Sequence, residues 1–161
     1  MTAKEYNQCV DQYADALYRY VSRAFSHVDD ARDVVQHCFE KLWVKHHGIT
    51  MEEVKGFLFV SARNAAIDIW RKEKRLVSLE ERTDHGGSYE DRRWEYWHAA
   101  MELLKVLNEE QRSIFLLREY EGYPYEDIAQ IMGLSLSQVK VTLFRARQKM
   151  LATTQKKIKA V

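Results

Sequence analysis

A single proline, Pro124, and only six glycines stand in a chain of 161 residues. Proline removes a backbone donor and glycine raises the entropy lost on ordering, so long stretches without either are free to run as helix. Leu, Ala, Glu, Lys, Gln and Arg are abundant throughout, and these residues are good helix formers. The chain therefore reads as all-α. Its length suits one ordinary domain or two small helical ones, so the periodicity has to decide.

Tyr6, Val10, Tyr13, Leu17, Tyr20, Val21 and Ala24 recur at spacings of three and four, which predicts a first helix over Ala3 to Phe25 with one apolar face. Asp29 or Asp30 caps a second helix, whose stripe of Val34, Val35, Cys38, Phe39, Leu42 and Trp43 ends at His46-His47-Gly48, where the glycine suits a left-handed cap. Thr50 and Glu53 form a capping box for a third helix through Phe57, Leu58, Ala62, Ala66, Ile69 and Trp70 to about Arg75. Between Leu76 and Arg93 the periodicity fails, and Thr83 to Ser88 has the composition of a flexible connection. The expected organisation is thus two small helical domains, residues 1–75 and 94–161, joined by a linker over 76–93. Trp94, Trp97, Met101, Leu104 and Leu107 mark a fourth helix; Asn108 and Gln111 box the start of a fifth, which Gly122-Tyr123-Pro124 ends. The lysine-rich tail beyond Met150 is expected to fray.

Tyr125 to Met150 carries the most specific pattern. A short helix to Met132 meets Gly133-Leu134-Ser135 and then a longer basic helix from Leu136, the plan of a helix-turn-helix. Ala129 is small at the crossing, Gly133 suits a positive φ, and Ile128, Leu134 and Val139 fix the angle. On the second helix, Lys140, Val141, Phe144, Arg145, Arg147 and Lys149 serve both base edges and phosphates, with Ser137, Gln138 and Thr142 near the N-terminus, where the dipole favours anions. Residue type does not separate base readers from phosphate contacts.

Net charge is only +1, but its distribution is uneven: Leu79 to Asp127 holds thirteen acids against six Lys and Arg, whereas beyond Asp127 there are seven Lys and Arg and no acid. A second basic cluster, Arg71, Lys72, Lys74 and Arg75, closes the first half. Two separated basic surfaces on a near-neutral chain suit two contacts with one polyanion; solvated helix faces are the plain alternative.

No apolar run approaches membrane-spanning length and the first residues resemble no secretory signal, so a soluble cytoplasmic protein is expected. Cys9 and Cys38 read as buried thiols. His37, Cys38, His46 and His47 lack any zinc spacing, and no phosphate loop, catalytic triad order or carboxylate pair appears. Neither a metal, a cofactor, a small-molecule substrate nor an enzymatic activity is expected.

With these motifs in order, the chain resembles the extracytoplasmic-function sigma factors of the sigma-70 family from about Tyr6 to Leu151. The run Asp33 to Trp43 is similar to the family's core-polymerase-binding helix, with His37 where an acid is usual; Phe57 to Lys72 is similar to the segment that melts and recognises the -10 element; Asn108 to Arg147 is similar to the -35-binding domain. The resemblance implies a non-enzymatic polymerase subunit, monomeric when free, whose partners are core RNA polymerase, promoter DNA and an anti-sigma factor. It places core binding on Asp33, Gln36, Phe39, Glu40 and Trp43, although Phe39 and Trp43 also fit a helix core. It places the -10 contacts on Arg63, Asn64, Ile67, Arg71 and Lys74, which share one edge of the third helix, and on Lys72, with an unstacked base in the loop His46 to Gly56. A stand-alone helix-turn-helix regulator and a helical adaptor are the rival classes.

Overall fold

Thr2 opens the first helix in the computed structural model, which describes residues 1–25, 28–76 and 99–160. Its hydroxyl accepts from the Glu5 amide at 3.2 Å while the Glu5 carboxylate takes the Thr2 amide at 2.6 Å, a reciprocal box that satisfies two end donors. Helix α1, Ala3–Ala24, packs with α2, Ala31–Lys45, and α3, Val54–Leu76, into a three-helix unit. Leu17, Tyr20, Val21, Cys38, Leu42, Val54, Leu58 and Phe59 fill its centre. Asp30 caps α2, accepting from the Arg32 and Asp33 amides. Gly48 ends a 3-10 turn over His46–Gly48, and its φ is not positive, so the left-handed cap expected there does not form. The box expected at Thr50 is half made: the Glu53 carboxylate reaches the Thr50 amide and hydroxyl, but the Glu53 amide donates to the Thr50 carbonyl instead of the side chain.

The linker expected over 76–93, with Trp94 and Trp97, falls almost wholly outside the described residues. Helical residues 99–104 lead to Asn108, whose side chain caps α4, Glu109–Phe115, in the expected box with Gln111. A π turn over Leu116–Tyr120 follows, with the Glu121 amide on the Leu116 carbonyl. Helices α5, Tyr125–Met132, and α6, Leu136–Lys159, complete the second half. The tail expected to fray is instead the last two turns of α6, where good helix formers continue without a breaker. All regular structure among the described residues is helical.

The halves share one continuous buried cluster. Phe59 of α3 meets Tyr123 edge to face at 5.2 Å, and the buried Tyr20 hydroxyl lies 3.1 Å from the Ser113 hydroxyl. Between them sits Arg112, whose guanidinium donates to the carbonyls of Ala24, Leu104 and Leu107 at 3.0, 3.1 and 2.9 Å. Ala24 closes α1, and Leu104 closes the helical run before α4, so one cation satisfies carbonyls at two helix ends. Burial pushes its pKa down without making a guanidinium lose its proton. Arg112→Met keeps the aliphatic stem but takes the side-chain donor from the carbonyls of Ala24 and Leu107, while that of Leu104 keeps the Leu107 amide at 3.2 Å, and is expected to lower stability by about 3 kcal/mol in urea unfolding.

Candidate nucleic-acid and protein-binding surfaces

Buried side chains fix which way each helix faces. On α2, Ala31, Val34, Cys38 and Leu42 point inward, which turns Asp33, Gln36, His37 and Glu40 to solvent. Gln36 Nε2 donates to Glu40 Oε1 at 3.0 Å, so the two sit side by side as a polar patch with net negative charge. Phe39 is buried and Trp43 is 46% exposed. The two therefore act differently: Phe39 backs a groove of about 670 Å³ between α1 and α2, where Tyr6, Val10, Tyr18 and Val35 also lie. Trp43 stands in the open, edge to face with Tyr6 at 4.9 Å and stacked on His46 at 5.0 Å. Its place at the end of an apolar stripe suggests core, yet α2 ends before anything covers it.

Along α3, Asn64, Arg71 and Lys72 are exposed and Ile67 is partly so. The side chain of Lys74 lies outside the described residues. Arg63 is held apart from them: it faces α4, its Nε 3.4 Å from Glu109 Oε1, close enough for an ion pair but not aligned as a hydrogen bond. Near the start of α3 the loop 46–56 borders a shallow cleft with Met1, Glu5 and Met51.

The turn between α5 and α6 has the expected geometry. Gly133 sits at φ +65°, ψ +34°, and the Leu134 amide returns to the Ala129 carbonyl at 3.0 Å. Ser135 then caps α6 in a further box with Gln138, a signal present in the sequence as Ser-x-x-Gln but not used above. Val139, Leu143 and Ala146 are buried, so Ser137, Gln138, Lys140, Val141, Phe144, Arg145, Arg147 and Lys149 are exposed and Thr142 partly so. Phe144 and Val141, at 61% and 46%, are large apolar groups left in water. Arg147 is engaged by Glu119, its Nε 2.9 Å from Oε1, and this pairing raises its pKa. Lys140 lies over the Tyr125 ring at 5.6 Å. Arg145 and Lys149 point to solvent beyond these contacts.

No group of three or more His, Cys, Asp or Glu side chains among the described residues is placed to hold a metal. Cys9 and Cys38 are both buried, and burial pushes the Cys38 thiol up to about 11, which removes its nucleophilic form at neutral pH. No helix among the described residues is long and apolar enough to cross a membrane.

Two family models match the chain, Sigma-70 region 2 over residues 9–76 and Sigma-70, region 4 over residues 97–150. Among relatives, the RNA polymerase sigma-E factor of Streptomyces avermitilis is 31% identical, with 88% of this chain and 80% of that protein covered. The RNA polymerase sigma factor YlaC of Bacillus subtilis is 29% identical, with 84% of each covered. A co-crystal structure of the sigma factor RpoE with the anti-sigma factor NepR from Bartonella quintana has 26% identity and a TM-score of 0.76, covering 95% of this chain and 98% of that one.

A Cβ on Gly133 meets nothing within 4 Å, so Gly133→Ala isolates the cost of the left-handed backbone. It is expected to destabilise by about 1 kcal/mol in chemical denaturation, whereas Gly48→Ala, in open space and without a positive φ, leaves stability unchanged or slightly raised.

Proposed function

Since the chain belongs to the sigma-70 family and is an RNA polymerase sigma factor of the extracytoplasmic-function type, we propose how its surfaces divide promoter recognition between them. Residues 1–75 dock on core polymerase through α2, with Asp33, Gln36 and Glu40 supplying polar and negative groups and Trp43 the apolar anchor. Phe39 acts from behind, holding the wall of the α1–α2 groove. The same half takes the melted -10 strand along α3, where Asn64 hydrogen-bonds a base, Ile67 packs beneath it, and Arg71, Lys72 and Lys74 follow the phosphates, Arg63 being turned to Glu109 of α4. Residues 94–161 form the second unit, and α6 enters the -35 major groove. Lys140, Arg145 and Lys149 meet phosphates and guanine edges; Ser137, Gln138 and Thr142 approach from the helix N-terminus; Val141 and Phe144 contact apolar base edges such as the thymine methyl.

The observation that carries this division is that three solvent-facing sets lie on three different helices, each aimed by its own buried stripe. The polymerase supplies the chemistry, and the chain works as a non-enzymatic specificity subunit. An anti-sigma partner, as the Bartonella sigma factor has in its co-crystal, would act by covering these same faces.

Size-exclusion chromatography with core polymerase tests the assignment of α2. A stoichiometric complex is expected, weakened at least tenfold by Asp33→Arg together with Gln36→Ala, both exposed positions whose change leaves the fold intact. Free elution beside a core shown to bind another sigma factor contradicts it.

A further inference from the structure

Five methionines stand in the chain, and Met51 is the most exposed of them at 40%; Met1, Met101 and Met150 are partly buried and Met132 is buried. It opens the turn 51–53, between the 3-10 turn that follows α2 and the first residue of α3. A single exposed apolar side chain needs no explanation, but its contact does. The Met51 sulfur lies 3.8 Å from Sγ of Cys9, which is 42 residues away in the chain and wholly buried on α1. Burial first, and the Glu5 charge second, push the Cys9 thiol up, so it stays an S–H donor at neutral pH and meets a lone pair of the thioether. The contact therefore runs from the surface into the core.

The loop 46–56 has other moorings. Ile49 packs against the core, and the Glu53 carboxylate takes the Thr50 amide and hydroxyl. The first lies ahead of the turn and the second lies within the loop itself, whereas the sulfur contact ties the turn to α1. The same turn lines the shallow cleft with Glu5, His47 and Thr50.

A thioether so placed is open to peroxide. A sulfur lone pair attacks one peroxide oxygen, the S–O bond forms as the O–O bond breaks, and the departing hydroxide takes up a proton and leaves as water. Sulfur is oxidised and the peroxide is reduced. The product, methionine sulfoxide, is polar where the thioether was apolar. Its oxygen carries a strong dipole that the weak S–H donor of Cys9 satisfies poorly, and a side chain already partly in water turns outward at little cost. The raised thiol pKa keeps Cys9 itself slow toward the oxidant.

We propose that Met51 is a peroxide-sensitive fastening of the loop 46–56: its conversion to the sulfoxide detaches the turn from α1, uncovers Cys9, and weakens the hold of this half on a single DNA strand. The last effect rests on the assignment of the -10 strand to this half, while the first two do not. Methionine sulfoxide reductases reverse the change.

The test treats the full chain with limiting hydrogen peroxide. Peptide mass spectrometry is expected to find the added oxygen on Met51 ahead of the other four methionines. Iodoacetamide is then expected to label Cys9 about tenfold faster than in the untreated chain, with Cys38 unchanged as the internal control. Affinity for a labelled random single-stranded DNA oligonucleotide, read by fluorescence anisotropy, is expected to fall about fivefold. Reductases A and B together restore both values, and circular dichroism checks that helix content holds. Met51→Leu, of similar volume and without sulfur, sets its own baseline, from which peroxide moves neither readout. Oxidation spread evenly over the methionines, a Cys9 no more reactive after oxidation, or a Met51→Leu chain that still responds overturns the fastening. Cys9 uncovered with strand affinity unchanged overturns the effect on the strand alone. No strand bound by any form, the untreated chain included, overturns the -10 assignment, and the Cys9 labelling then decides the fastening by itself.

Discussion

Arg112 is the residue on which the arrangement of this protein turns. Helices end with carbonyls that nothing within the helix satisfies, and two such ends meet where the first half of the chain abuts the second. One guanidinium, with donors fixed in a plane, reaches the carbonyls of Ala24, Leu104 and Leu107 together. Among the described residues no carboxylate hydrogen-bonds to it, while the nearby Glu109 charge favours its protonated form. Around it, Tyr20 reaches Ser113 and Phe59 reaches Tyr123, and the two cores become one cluster. The exposed faces of α2, α3 and α6 are each aimed by the buried stripe of their own helix.

Local signals were legible in the sequence because their physics is local. Pro124 and Gly133 bracket α5, the spacing of Val139, Leu143 and Ala146 turns the basic side of α6 outward, and the Asn108–Gln111 box starts α4 where expected. Errors fell where a neighbour in sequence was asked to do what another element does. Gly48 looked like a left-handed cap, but a 3-10 turn ends α2 without one. Trp43 fitted an apolar stripe, yet the helix runs out past the core, so that an aromatic of core type is left in water. The last turns of α6 stay helical because charge alone does not break a helix that lacks glycine and proline. Nothing in the one-dimensional pattern marked Arg19, whose partner lies 102 residues away in the chain, or Arg112, one of whose three partners lies 88 residues away.

Charge shows the same division. Counting acids and bases along the chain located a basic final helix and an acidic middle, but only the fold shows that the acids meet cations from the first half. A near-neutral protein can therefore present basic surfaces to a polyanion while its own acids neutralise part of them. Salt bridges at such partly exposed positions contribute little to stability individually.

Reconstituted transcription shows whether these helices give core polymerase its choice of promoter. Core polymerase with the purified chain, supplied with a pool of genomic fragments, should begin transcripts at discrete positions that share two spaced sequence elements. Reversing the two exposed charges, Lys140→Glu with Arg145→Glu, should lower that initiation at least tenfold. Initiation that is undiminished by the reversal, or transcripts no different from those of core polymerase alone, would contradict the account.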